Sequence, residues 1–296
     1  MRIATLILAA AALAAPALAA KPAPLPAAIY TDPAPDKAHP ARMEVLHIPS
    51  GGVEINGVAY LAAGAGLHPT LVLCHGWPGN EKNLDLAQAV RRAGWNVVTF
   101  NYRGSWGSAG TFRFAQNPED ASAVLAYLRA PANAVKLQVD TSRIAIAGHS
   151  MGGWVTAMVA GKDQGLLGAG LISAANMGQM HGLDRAGLIQ LASENTETLA
   201  DTSPDRMVDE LIAGSDAFDF LRAAPGLAKT SLLVLSSDDG LAPQTDALIA
   251  AVRANGGTRV TAVHVATDHS WSDSRIKLQA QVIRWLQGLL PLKKRR

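Results

Sequence analysis

Arg143-Ile144-Ala145-Ile146-Ala147-Gly148-His149-Ser150-Met151-Gly152-Gly153 is the stretch on which the reading of this chain turns. After Arg143, Ile144 to Ala147 form a short apolar run of the kind buried in a sheet, and the glycines then open a helix. A serine flanked by Gly148 and Gly152 between strand and helix has the context of a nucleophile turn. Such a turn is sharp and strained, lifting the serine Oγ clear of the sheet. The residues two before and two after come together with little room for side chains, and Gly153 extends that tolerance into the helix packing. A phosphate-binding loop is the competing reading of a glycine-rich strand-to-helix turn. Neither G-x-G-x-x-G nor a G-K-[ST] ending is present, which argues against it. His149 is expected to turn away from the reacting group and to serve packing.

Outward from this stretch, short apolar runs alternate with amphipathic helices. Strands are predicted at Thr70 to Cys74, Trp95 to Asn101, Arg143 to Ala147, Leu166 to Ile172, Ser231 to Leu235 and Arg259 to Val265. Helices are predicted at Glu81 to Ala93, Pro118 to Leu128, from Gly152, at Pro243 to Ala254 and at Arg275 to Leu290. Before them, Met43 to Ile48 and Val53 to Ala62 read as a hairpin turned at Gly51-Gly52. The pattern defines an α/β fold, a mostly parallel sheet covered by helices on both faces. The alternation breaks once, for nearly sixty residues between Ile172 and Ser231. Helical stretches at Gly182 to Ala200 and Ser203 to Ala213, the latter begun by Ser203-Pro204, imply a helical cap insertion at about 174–229. Such a cap is expected to roof an acyl pocket with Met177, Met180 and Leu188. Packing of Met177, Met180 and Met207 in a helical core is the alternative.

His75-Gly76-Trp77-Pro78-Gly79 follows one predicted strand, Arg103-Gly104 follows the next, and Gly148-His149-Ser150-Met151-Gly152-Gly153 follows the third. In series these motifs resemble the α/β-hydrolase superfamily, esterase- and lipase-like, with distant similarity to the prolyl-oligopeptidase catalytic domain. The resemblance spans about Val53 to Leu290 and implies the α/β-hydrolase fold with a cap. It implies Ser150 as nucleophile, an oxyanion hole from the backbone N–H groups of Trp77 and Met151, and the downstream order acid, then histidine. Among His181, His264 and His269, the last lies just beyond the final strand and fits the base. His181 precedes every plausible acid, and His264 lies within the strand. The acid loop reads Asp238-Asp239-Gly240-Leu241-Ala242-Pro243, and Asp239 fits the register of Asp-x-x-Val-Pro in relatives; Asp238 is assigned to the turn or solvent. Where many relatives carry Asp-x-Arg-Gly-x-Gly-x-Ser, this chain has Asn101-Tyr102-Arg103-Gly104-Ser105-Trp106-Gly107-Ser108, so that loop is given a structural or pocket-lining role. The implied activity is cleavage of carboxylic esters through an acyl-enzyme. A serine peptidase of prolyl-oligopeptidase type and a non-catalytic binding protein are the alternatives.

Composition sets the remaining bounds. Of 296 residues 49% are apolar and 17% charged, which excludes a disordered chain. The net charge of +2 rests on Arg2 and Lys293-Lys294-Arg295-Arg296; without these five cations the remainder is at −3, so no nucleic-acid groove is implied. Arg2, the apolar run Ile3 to Leu13 and Ala17-Leu18-Ala19 read as a signal peptide over 1–20, which predicts export without a lasting membrane span. Residues 21–42 read as a Pro/Ala-rich linker and 43–296 as the hydrolase domain. Cys74 is the sole cysteine and is assigned to a buried strand, which excludes an intrachain disulfide. No metal or cofactor motif is evident, and the expected partner is a small-molecule acyl substrate.

Overall fold

A computed structural model describes residues 23–182 and 184–291 of the chain. The predicted signal peptide, the basic tail and the side chain of His181 lie outside the described residues.

Eight strands among the described residues form one sheet: β1 (Arg42–Ser50), β2 (Val53–Leu61), β3 (His68–Cys74), β4 (Asn96–Phe100), β5 (Val139–His149), β6 (Gly168–Ile172), β7 (Ser231–Ser237) and β8 (Val260–Val265). Their order is β1-β2-β4-β3-β5-β6-β7-β8. β1 and β2 pair antiparallel, as does β2 with β4, and every pairing from β4 to β8 is parallel. The parallel strands therefore end together, and the loops that follow them share one edge of the sheet. β3, β4 and β6 are almost wholly buried, which explains their unbroken apolar runs.

The helices are α1 (Leu84–Arg92), α2 (Asn117–Arg129), α3 (Pro131–Lys136), α4 (Met151–Ala160), α5 (Arg185–Glu194), α6 (Pro204–Ala213), α7 (Ala224–Leu227), α8 (Ala242–Ala254) and α9 (Arg275–Leu289). α1 and α9 cover one face through Leu86, Val90, Leu278, Val282 and Leu286. α2, α4 and α8 cover the other through Val124, Leu128, Trp154, Val155, Leu248 and Val252. No helix among the described residues is long and apolar enough to cross a membrane.

Two expectations change in detail. The stretch expected to hang as a linker docks back on the domain: Arg92 donates to the carbonyls of Ala28 and Ile29, and Arg284 to those of Ala23 and Pro24. Arginine side chains capture its carbonyls, and Ala28 and Ile29 pack on the α1/α9 core. The residues between β6 and β7 are helical, as α5 and α6, and Ser203 caps α6 by accepting from the Arg206 N–H. This segment packs into the same core that α2, α4 and α8 cover, with Phe218 against Trp154 of α4. Met177, Leu188, Met207 and Leu211 are buried there together with Phe218 and Phe220, and Met180 packs against them.

Candidate active site

The serine turn sits where β5 ends and α4 begins. Ser150 has φ 57° and ψ −123°, in the positive-φ region that L residues rarely adopt. The geometry explains its glycines. A Cβ on Gly148 would lie 2.0 Å from the Gly152 carbonyl oxygen, and one on Gly152 would lie 2.2 Å from that of Cys74. Backbone fixes the turn as well, for the Ser150 N–H donates to the Ile172 carbonyl on β6 at 2.9 Å. The first N–H groups of α4, beginning with Met151, have no partner within the helix and face the same edge.

The loop after β3 crosses directly over this turn, so close that a Cβ on Gly76 would meet the Ser150 Cβ at 3.0 Å. Trp77, the next residue, is brought beside the serine. Two aromatic donors from the loop after β4 hold this crossing. Tyr102 Oη donates to the His75 carbonyl at 3.2 Å, and Trp106 Nε1 donates to the Pro78 carbonyl at 2.8 Å. The Asn101 to Ser108 loop is thus structural. Its Arg103 is tied to the buried Asp120 of α2, with Nε to Oδ1 at 2.6 Å, and Lys82 lies over the Trp106 ring.

Asp239 and His269 come together from the loops after β7 and β8. His269 Nδ1 lies 2.7 Å from Asp239 Oδ2. The Asp239 side chain is only 5% exposed. Burial works against its charge, but hydrogen bonds from His269, the Leu241 N–H and Ser237 outweigh that and hold its carboxyl at about 2. Of the two roles expected for Asp238, turn cap or solvent, the structure shows the second. It faces solvent and pairs with His264 Nε2 at 2.8 Å, while His264 Nδ1 meets Ser236 Oγ at 3.0 Å. His264 is thereby satisfied within its strand, some way from Ser150 along the sheet edge.

Ser150 and His269 line one cavity of about 140 Å³, together with Gly76, Trp77, Asn80, Glu81, His149, Asn195 and Ser270. The segment between β6 and β7 contributes Asn195 alone to this lining. Met177, Met180 and Leu188, expected in the acyl pocket, do not line it, because their side chains pack into the core shared with α2, α4 and α8. A larger hollow of about 610 Å³ lies between Ala23, Leu25 and the start of α9, but no histidine lines it to act as a base. Cys74 is buried, and burial pushes its thiol up to about 12, far from a reactive thiolate. Among the described residues no cluster of histidine, cysteine and carboxylate side chains could hold a metal ion.

His149 is where the sequence reading falls short. It does not turn away: its ring lies 4.6 Å from that of His269 and lines the same cavity. The two residues are far apart in sequence, and no local signal announces the contact.

The fold and the placement of these loops define a hydrolase scaffold, and comparison with known proteins agrees. The sequence pattern of the alpha/beta hydrolase family matches residues 71–284, and this chain belongs to that family. Among solved structures, a thermostable carboxylesterase cloned from a metagenomic library is 25% identical, with TM-score 0.63 over 90% of this chain and 93% of that one. A Mycobacterium tuberculosis puromycin-hydrolyzing peptidase is 17% identical, with TM-score 0.64 over 88% of this chain and 41% of its own. A Pyrococcus horikoshii acylaminoacyl peptidase, also 17% identical with TM-score 0.64, is matched over 86% and 43%. This chain therefore spans about two-fifths of the length of those two peptidases.

Proposed function

We propose that this hydrolase is a serine esterase acting on short acyl esters. The observation that carries the reading is one cavity holding a strained, exposed-edge serine and a histidine whose second nitrogen is 2.7 Å from a buried carboxylate. Ser150 Oγ attacks the ester carbonyl carbon while His269 Nε2 takes its proton. Asp239 accepts the Nδ1–H, fixes the tautomer and stabilises the imidazolium. The Trp77 and Met151 N–H groups donate to the developing oxyanion. Collapse expels the alcohol, which takes its proton from His269. Water then adds to the acyl-enzyme by the same relay and releases the acid.

Size favours a short acyl group, since about 140 Å³ is well below the roughly 300–1,000 Å³ of drug-sized pockets. The test is a p-nitrophenyl ester series from acetyl to octanoyl, run beside aminoacyl and peptidyl amides. The expected result is turnover of acetyl to butyryl esters at least about tenfold above octanoyl. Faster cleavage of peptidyl amides than of every ester would replace this reading by the peptidase one, to which the two peptidase folds point.

Export is part of the proposal, supported by the charged start, apolar run and Ala17-Leu18-Ala19 of the sequence. Intact mass of protein recovered from a secreting host should begin near Ala20 or Lys21, and recovery of uncleaved cytoplasmic chain contradicts it.

A further inference from the structure

His149 Nε2 lies 2.7 Å from the backbone carbonyl oxygen of His269. A carbonyl only accepts, so Nε2 carries the proton and Nδ1 is bare. Nδ1 is buried and has no partner among the described residues, and the residue is 4% exposed. A buried imidazole with one nitrogen unsatisfied costs stability and needs an explanation. Its one hydrogen bond supplies it.

Ser150 and His269 follow strands, β5 and β8, that are separated in the sheet by β6 and β7. The base stands on 266–274, a loop without strand or helix between β8 and α9. Other anchors of that loop grip its flanks: Arg275 Nη1 donates to the Ser270 carbonyl at 2.9 Å, and Trp271 Nε1 donates to Ser173 Oγ at 3.0 Å. The bond from His149 falls on His269 itself and comes from the residue covalently joined to the nucleophile. It ties the nucleophile's chain neighbour directly to the base across the sheet edge.

We infer that His149 is a positioning residue, whose Nε2–H clamps the backbone of His269 and sets its imidazole against Ser150. The inference rests on the proposed roles of Ser150 and His269. A misplacement of about 1 Å in such a pair costs about 10²-fold in rate, so the clamp acts on the chemical step. Two substitutions separate the clamp from simple packing. His149→Phe keeps a ring of similar size without a donor, and His149→Gln keeps an N–H donor without the ring.

With p-nitrophenyl acetate, His149→Phe should lower kcat about 10- to 100-fold with KM within about threefold. His149→Gln should recover most of that loss, and fluorophosphonate labelling rates should follow kcat. Equal losses in both variants, or wild-type kcat in His149→Phe, would overturn the clamp. A measurement on the unsubstituted protein guards against variants that fail to fold. Histidine-selective ¹⁵N spectra at neutral pH should contain a ring with a slowly exchanging Nε2–H, and that signal should vanish in His149→Gln; a fast-exchanging His149 ring would overturn the clamp equally. If Ser150→Ala still reacts with the probe, the catalytic assignment fails; if it does not while His149→Phe is fully active, only the clamp fails.

Discussion

Asp238 and Asp239 are adjacent in the chain and stand in opposite environments. The Asp239 side chain is 5% exposed and bonded to His269, whereas that of Asp238 is 61% exposed and bonded to His264. An amide at 239 offers its N–H₂ or a weaker acceptor to Nδ1 and favours the wrong imidazole tautomer. Asp239→Asn is therefore expected to lower kcat by about 10³- to 10⁴-fold. Asp238→Asn breaks only an exposed pair, of small value, and should leave kcat within about threefold. Steady-state kinetics of the two variants decide it, and the reverse ranking would move the acid to Asp238. The choice was legible in sequence because the register of Asp239-Gly240-Leu241-Ala242-Pro243 is a local property. The contact of His149 was not, because it joins residues 120 positions apart, on the turn after β5 and the loop after β8.

The central strands β3, β4, β6 and β7 were legible as elements because each is almost wholly buried and reads as a short apolar run, whereas β1 and β2 at the sheet's start show the alternation of a strand with one exposed face. α3 (Pro131–Lys136) was missed, being only six residues long with Ala134 alone buried. The segment between β6 and β7 was legible as helical, but not in what it presents to the site. Its residues 198–200 bond to the loop after β4 through Thr198 O to Trp106 N, Ala200 O to Phe112 N and Ala200 N to Gly104 O. Asn195, just before that pairing, is what the segment presents to the cavity, while Met177 and Met207 are buried in the core and Met180 packs against it. The same loop is fastened below by Arg103 and Asp120. Asp120 is wholly buried and accepts from Arg103 Nε, the Arg103 N–H and Ser50 Oγ. Asp120→Ala leaves a nearly buried guanidinium with only the exposed Glu119 as its acid partner, and should destabilise the protein by about 3 kcal/mol. Urea denaturation measures this. A loss under about 0.5 kcal/mol would show that the Arg103 and Asp120 pair does not hold the loop.

At the scale of the molecule, two buried imidazoles couple the site to acidity. Burial, with the nearby His269, holds His149 at about 4; burial, against a hydrogen bond to Gly76 O and with Lys82 nearby, holds His75 at about 4. In the unfolded chain both titrate near 6.5. The unfolded state therefore binds protons first as pH falls. The stability owed to neutral His75 and His149 is intact above about 6.5 and is lost progressively toward 4, on the order of 3 kcal/mol for each. Asp239 adds nothing in that window, since its folded value of about 2 affects stability only below about 4. The urea midpoint should fall between pH 7 and pH 5, and His149→Phe should remove about half of that fall. A midpoint constant across the interval would contradict neutral burial of both rings. Fold and scaffold were readable from the alternation of runs and the three loop motifs, since a parallel sheet brings every loop that follows a strand to one edge. The convergence of Ser150, His269 and Asp239 at that edge is the central claim, and covalent labelling tests it most directly. A fluorophosphonate probe followed by peptide mapping should place the adduct on Ser150, and Ser150→Ala should abolish labelling and ester turnover with its thermal unfolding unchanged. An adduct on another residue, or undiminished labelling of Ser150→Ala, would contradict it.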